Sequence, residues 1–259
     1  MSFFRVSPEQ KAQFEADGYI VVPGLLNPEE SDLLQKLAKS DTGLADKAYG
    51  RPDRSGMITK LALRNDLPDD IFGAITRSRR VVDAMEILLD GEVYHYHHKM
   101  TMKEPLVGGA WEWHQDYGYW YNNGCLFPYM ASCWIAVDKA TKENGCMQVI
   151  KGSHHMGRIE HGVVAGQTGA DMERVEKCLE HLELVYCEME PGDALFFHSN
   201  TLHRSDMNRS ANPRWSLISC YNAARNNPYK QHGHPCYSFL EKWEDEKVLE
   251  VGRRDASKL

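Results

Sequence analysis

The sequence predicts a mainly β chain: a double-stranded β-helix, or jelly-roll, barrel with helices packed on it at the N-terminal end. Two observations predict this. From Glu92 onward, short runs rich in Val, Tyr, Trp, Ile and Phe alternate with Gly, Pro and Asn breaks, which is the pattern of strands and turns. About eight such runs succeed one another, the number a two-sheet jelly roll needs. Before Glu92 the apolar spacing is mainly helical, so helices and connections come first. The chain has 259 residues, 42% hydrophobic and 26% charged, enough for one sizeable core and not the composition of a disordered segment.

In chain order, Ser7-Pro8-Glu9-Gln10 reads as a helix cap, a proline at the first helical position and an acidic first turn, with Phe14 inside and Gly18 ending the helix. Tyr19 to Val22 is a short β-branched run closed by Pro23-Gly24. Asn27-Pro28-Glu29-Glu30 repeats the start signal, and Leu33, Leu34 and Leu37 follow at helical spacing. A third helix is expected over 78–89, with Val81, Val82, Met85 and Leu88 on one face and Gly91 beyond it. Strands are expected near 93–103, 111–116, 130–138, 146–150, 183–189, 193–197, 202–207 and 215–222. Asn144-Gly145 favours positive φ and reads as a turn between strands. The stretch 155–182 interrupts the strands, and its 170–182 part has helical spacing through Met172, Val175 and Leu179. The expectation is one domain over 1–259, with a helical part at 1–91, the barrel at 92–222 and a tail at 223–259.

Composition excludes several classes. The formal charge of −7 comes without any Lys/Arg stripe that would track phosphates, so nucleic acid is not an expected partner. Seven cysteines stand singly with no Cys-x-x-Cys pair, the pattern of reduced thiols in a cytoplasmic protein. The N-terminus has no basic start followed by an apolar run, and no stretch is apolar enough to span a bilayer, so neither secretion nor a membrane is expected.

The chemistry-bearing pattern is His114-Gln115-Asp116. Along a strand or strand end, alternate side chains share a face, so an imidazole and a carboxylate project together. His203, on the late strand expected at 202–207, is the best third partner. Two histidines and one carboxylate on one face of an octahedron leave three positions open, the arrangement of non-haem Fe(II) oxygenases that bind a bidentate co-substrate and O₂. His-x-Asp alone is a weak signal in a chain with twelve histidines. Two features strengthen it. Trp111, Trp113, Tyr117, Tyr119, Trp120 and Tyr121 would build an apolar mouth around the pair, and Arg214, on the strand after His203, would clamp a distal carboxylate. His198 is the rival third ligand. His95, His97 and His98 alternate imperfectly along one strand and read as barrel or surface residues, while His154, His155 and His161 read as loop hydrogen-bonders.

These residues sit in longer motifs. Lys103-Glu104-Pro105 precedes Trp113-His114-Gln115-Asp116, and Trp134-Ile135-Ala136-Val137-Asp138 follows. Then come 143–154, beginning Glu143-Asn144-Gly145, then Pro191-Gly192-Asp193, His203-x-Ser205 and Arg214. In order and spacing, and with the opening Phe14 to Val22 stretch, they resemble the phytanoyl-CoA dioxygenase family of Fe(II)/2-oxoglutarate oxygenases, which includes ectoine hydroxylase. Lys151 departs from the family's usual proline, a change confined to a strand end. The resemblance implies that His114, Asp116 and His203 bind Fe(II), and that Arg214, helped by Ser205, pairs with the distal carboxylate of 2-oxoglutarate. It also implies that Trp134 neighbours the co-substrate and that Lys99 and Thr101 contact it.

The implied activity is hydroxylation of an unactivated C–H bond in a small-molecule substrate, with O₂ consumed and succinate and CO₂ released. Related halogenases resemble this family but carry a small residue where Asp116 stands, so an aspartate argues for hydroxylation. Two other readings use the same ligands: a zinc-binding hydrolase on a jelly roll, and a catalytically silent jelly roll that binds a small molecule. Substrate identity and oligomeric state stay open at this level.

Overall fold

The computed structural model describes residues 4–164 and 166–259. The chain opens with α1 (Pro8–Asp17), β1 (Tyr19–Val22), α2 (Pro28–Ser40), α3 (Thr42–Lys47), β2 (Tyr49–Pro52), β3 (Ile58–Arg64), α4 (Ile71–Arg77) and α5 (Arg79–Leu88). The central stretch is β4 (Val93–Lys103), β5 (Trp111–His114), α6 (Asp116–Trp120), β6 (Met130–Ala136) and β7 (Met147–Ile150). The hairpin β8 (His161–Val164) and β9 (Gln167–Ala170) leads into α7 (Met172–His181), then β10 (Leu184–Cys187), β11 (Ala194–His198), β12 (His203–Ser205), β13 (Arg214–Ala223) and α8 (Lys247–Ala256).

The major sheet runs β1-β11-β6-β13-β4-β3-β2 and the minor sheet β10-β7-β12-β5, all neighbours antiparallel. This is the expected jelly roll. The two faces of the major sheet read directly from alternation. On β6, Cys133 and Ile135 pack outward beneath the helices, while Trp134 and Ala136 face the minor sheet. On β11, Phe196 goes outward while Leu195 and Phe197 go inward. Leu34 of α2, Ile75 of α4, Val82 and Met85 of α5 and Val248 of α8 complete the outer layer. Both faces of β4 are therefore covered, which is why ten of its eleven residues are buried and why no clean polar/apolar alternation marks it.

The predicted helix starts are present in detail. Ser7 and Asn27 each form a reciprocal capping box with Gln10 and Glu30. Gly18 ends α1 at φ +83°, and a Cβ there would lie 2.5 Å from the His154 ring and 2.7 Å from the Thr201 hydroxyl. Glycine is required on both counts.

Four expectations are corrected. The 1–91 part is not simply helical: β1 caps one edge of the major sheet, and β2–β3 extend the other through β4. β2, Tyr-Gly-Arg-Pro, is an exposed edge with almost no apolar residue to announce it, and β3, Ile-Thr-Lys-Leu-Ala-Leu-Arg, bunches its apolar residues as Leu-Ala-Leu without clean alternation. The 223–259 segment is not a tail. α8 docks on α2 and α4 with Val248 and Val251 buried, and Asp245 just before it bonds the Arg80 backbone. The 155–182 insertion holds a hairpin as well as α7. Finally, β5 stops at His114, so Asp116 lies in the first turn of a helix and not on the strand expected over 111–116.

The imperfect alternation of His95, His97 and His98 also has a cause. Opposite β13, His97 pairs with Cys220 and His95 with Tyr221, leaving Tyr96 unpaired in a β-bulge. Tyr96 packs in the inner layer with Trp120 and Trp134, and His97 lies against Trp120. His95 and His98 bond each other, Nε2 to Nδ1, at 3.1 Å.

Candidate metal centre and co-substrate pocket

His114 and His203 are direct cross-strand partners of β5 and β12, with ring centroids 4.0 Å apart. Gln115 between β5 and α6 keeps an extended backbone (φ −109°, ψ 134°), so the alternation carries one residue past the strand and turns Asp116 toward the same point. Asp116 Oδ1 lies 3.7 Å from His114 Nε2 and 4.0 Å from His203 Nε2. The three are at most 4% exposed and form a cluster whose ligand atoms lie within 4.8 Å of one another.

The hydrogen bonds fix which atoms are free. His114 Nδ1 donates to the Glu112 carbonyl at 2.8 Å and His203 Nδ1 to the Thr201 carbonyl at 2.9 Å. A carbonyl only accepts, so each Nδ1 carries the proton and each Nε2 presents a lone pair to the common point. Asp116 accepts from the Tyr119 hydroxyl on Oδ1 (2.8 Å) and from the Ser132 hydroxyl on Oδ2 (3.1 Å). Burial, joined by the mutual repulsion of the rings, drives the His114 imidazole well below its usual range, and burial lowers His203. Burial alone would raise Asp116, but Lys99 and the two imidazoles outweigh it and hold the carboxyl below its ordinary value. Two neutral nitrogen donors and one ionised oxygen donor, oriented by carbonyls and hydroxyls behind them, suit a divalent transition metal.

Gln115 was read only as a spacer, yet it is fully buried and bonds at every polar atom of its side chain. Its Nε2 donates to the Gly157 and Asn200 carbonyls (2.7 and 2.8 Å), its Oε1 accepts from Ile159 N (2.9 Å), and its backbone N–H donates to His161 Nε2 (2.9 Å). This clamp fixes the peptide between two candidate ligands. His198 does not approach the centre: it packs against Phe14 and His154 and accepts from Asn200 N.

The cluster opens on a narrow cavity between the two sheets. All the other residues expected at the site line it: Lys99, Thr101, Trp134, Ser205 and Arg214, joined by Lys103, Met147, Phe197 and Ile218. Arg214 is 2% exposed. Its Nε donates to the Gly145 carbonyl (3.1 Å), and its two Nη atoms reach only hydroxyls of Thr101, Ser216 and Ser205 at 3.3–3.4 Å. Gly145 itself is required, since φ is +81° and a Cβ would meet the Asp206 carbonyl at 2.2 Å. Trp134 lies 5.6 Å below the guanidinium, and burial pushes Arg214 down to about 10. Among the described residues no carboxylate pairs with it. Lys103, also fully buried, bonds the Ser205 and Asp206 carbonyls.

The aromatic mouth is half as expected. Trp111 lines the inner cavity, while Tyr119 and Trp120 line an adjoining outer chamber. Trp113 packs instead in the small core beneath α7, Tyr117 bonds the Cys125 carbonyl from within the inner core, and Tyr121 is exposed against Arg158.

The sequence profile described as Phytanoyl-CoA dioxygenase (PhyH) matches residues 14–216. L-proline trans-4-hydroxylase of Streptomyces griseoviridis is 28% identical over 246 residues, covering 85% of this chain and 88% of that protein. Ectoine dioxygenase of Stutzerimonas stutzeri is 26% identical over 245 residues, covering 85% and 78%. The crystal structure of EctD from S. alaskensis with 2-oxoglutarate and 5-hydroxyectoine superposes with a TM-score of 0.79 at 24% identity, covering 92% of this chain and 88% of that one, so the fold is shared. No helix among the described residues is long and apolar enough to cross a membrane. With a profile match running from α1 into β13, across both sheets and every candidate ligand, the chain belongs to the phytanoyl-CoA dioxygenase family.

Proposed function

We propose that this chain is an iron(II)- and 2-oxoglutarate-dependent hydroxylase in which His114, Asp116 and His203 hold the metal and Arg214 anchors the co-substrate. One observation carries the assignment of residues: a three-donor cluster and an unpaired buried guanidinium share one cavity. A dicarboxylic keto acid has a chelating end for the first and a carboxylate for the second. When bound, the iron and 2-oxoglutarate supply the oxidising power for O₂-dependent C–H hydroxylation, with succinate and CO₂ as co-products.

The protein's own residues then do defined work. Nδ1 bonds to Glu112 and Thr201 hold both imidazoles in the metal-binding tautomer. Ser205 and Thr101 place hydroxyls beside the Arg214 fork, and Trp134 and Ile218 exclude water from it. Lys99 faces the centre without an ion-pair partner among the described residues. The relatives act, by their names, on L-proline and ectoine. A small-molecule substrate of that general size, entering through the outer chamber, is in keeping with a chamber lined by Trp111, Tyr119, Trp120, His97 and Lys99. A cytoplasmic location is supported by seven free cysteines, six of them buried.

Anaerobic addition of Fe(II) and 2-oxoglutarate is the test. Bidentate chelation gives a weak visible charge-transfer band, and His114→Ala or Asp116→Ala should abolish both the band and 2-oxoglutarate-dependent succinate formation. A wild-type protein that binds the metal but gives no band would remove the co-substrate from this reading.

A further inference from the structure

The outer chamber adjoins the inner cavity through Leu61, Lys99 and Trp111, which line both. Its polar lining is one-sided. It contains the cations Lys99 and Arg51, and among the described residues no aspartate or glutamate lines it. Two of its lining side chains carry buried polar atoms without a hydrogen-bond partner: Trp120 Nε1 and His97 Nδ1, in residues 0% and 2% exposed. An indole N–H can only donate. Leaving it unanswered costs free energy that a complementary ligand recovers, and Lys99, whose charge adds to the field that keeps Asp116 ionised, makes no hydrogen bond or ion pair of its own among the described residues.

We propose that the substrate of this enzyme carries a compact anionic group, a carboxylate, that docks in the outer chamber against Lys99 and the Trp120 indole N–H. The proposal rests on reading the inner cavity as the iron and 2-oxoglutarate site. Lys99 projects from β4 on the same face as Thr101 and Lys103, and by its position in both linings it stands where a substrate passes toward the metal centre. The bulge at Tyr96 is what places His97 beside Trp120 and His234 on this chamber, with ring centroids 5.6 and 4.7 Å away. Arg51, exposed at the rim over the Tyr49 ring with a 3.4 Å contact to the Gly166 carbonyl and no carboxylate partner among the described residues, adds attraction for an incoming anion. A cationic substrate would meet two positive charges and no negative one. An apolar substrate would cover Lys99 and the Trp120 N–H without answering either. Arg214, deeper in the inner cavity, already serves the distal carboxylate of 2-oxoglutarate, so Lys99 is left for the second molecule.

The experiment has two arms, both on the full chain. The first is the anaerobic Fe(II)/2-oxoglutarate band in wild type and in Lys99→Met; its absence in wild type removes the underlying reading, independently of the substrate. The second measures succinate release stimulated by a panel of small carboxylic acids, each paired with its primary amide and the corresponding amine. Acids should stimulate and their amides should not. For the best acid, Lys99→Met should lower kcat/KM roughly tenfold to a hundredfold, the usual loss for a charged hydrogen bond, with Lys99→Arg restoring part of it. Trp120→Phe should lower it several-fold, and the KM for 2-oxoglutarate should stay within about twofold of wild type in Lys99→Met. Amides or amines that stimulate as well as acids overturn the proposal. So does a rise in the 2-oxoglutarate KM with acid-dependent turnover otherwise intact, which would return Lys99 to the co-substrate. A panel with no stimulating acid, in protein that still forms the band, overturns it as well.

Discussion

Arg214→Met tests the co-substrate assignment most directly. The guanidinium is fixed at Nε by the Gly145 carbonyl, while both Nη atoms make only long contacts to hydroxyls, so its outer fork keeps donors for a bidentate carboxylate. Truncating one partner of such a buried charge pair costs about 2–5 kcal/mol. That converts to a rise in the 2-oxoglutarate Kd of roughly 30-fold to a few thousand-fold. The unloaded protein should respond differently. There the charge is buried without a counter-ion, and burial pushes its pKa down to about 10, so an apolar side chain of similar length removes a cost along with the Gly145 bond.

Thermal unfolding reads both effects. At 2-oxoglutarate concentrations near a hundred times Kd, wild type should gain about 2.7 kcal/mol. For a chain of this size that is roughly 5–10 °C in Tm. Arg214→Met should show almost none of this shift at the same concentration, with an unloaded Tm close to wild type. The wild-type affinity should hold from neutral pH to about 9 and fall as pH rises through about 10, where the guanidinium begins to lose its proton. A variant Kd within about threefold of wild type would refute the assignment, since it would amount to less than 1 kcal/mol.

Three other outcomes are expected. Gln115→Leu removes all three side-chain bonds of the clamp without touching a ligand, and should weaken metal binding roughly 10–100-fold, checked by competition with a chromophoric chelator. Acid should destabilise the metal-free fold through histidines remote from the centre: burial holds His98 at about 4 and His198 at about 3, below the unfolded value, so the unfolded chain binds more protons. Their contribution is complete above about pH 6.5 and lost as pH falls toward the folded values. Together that is about 3 kcal/mol between pH 7.5 and 5.5, checked by urea unfolding at each pH. Glu30→Ala removes the nearer of two carboxylates from Arg80, the one met at 2.5 and 2.7 Å against 3.4 Å for Asp245, together with the Asn27 capping bond, and should cost about 3 kcal/mol in the same assay, with ligand binding preserved in the folded fraction.

Legibility in the sequence tracked how local each cause was. Caps and helix starts at Ser7 and Asn27 were readable because their partners lie three residues away. The core strands were readable because β6 and β11 carry apolar residues on both faces. β2 and β3 were not: β2 is an exposed edge held only by β3, and β3 is placed by its pairing with β4, about forty residues on. α8 was missed for a related reason. Its Val248, Val251 and Gly252 fit against Leu33 and Ile71 from the other end of the chain, and the isolated segment is too polar to declare itself. At the site, His114, Asp116 and Arg214 stood out because their residue types are chemically specific. Gln115 was passed over because an amide gains meaning only from the carbonyls and amides that surround it, and His161, read as a hydrogen-bonder, does bond, from β8 to the Gln115 N–H.

The site's charge arrangement explains why one fold element after another converges on it. Lys99, Lys103, Arg204 and Arg214 line the inner cavity against a single carboxylate, Asp116. Three of the four have protein partners: Arg204 reaches Gln148 and Asp206, Lys103 is held by backbone carbonyls, and Arg214 by the Gly145 carbonyl and three hydroxyls. Arg214 and Lys99 have no carboxylate among the described residues. A barrel that closed only to bury apolar surface would place leucine or valine at these inward positions of β4 and β13, where Met100, Met102 and Leu217 show that apolar residues are used freely on the opposite face. The chain instead carries the desolvation cost of Arg214, buried without a counter-ion, and leaves Lys99 half-buried beside it with no ion pair of its own among the described residues. Such a cost is retained where the missing negative charge arrives with a ligand. Two separate cations, one deep beside Trp134 and one at the junction with the outer chamber, leave separate places for two anionic groups.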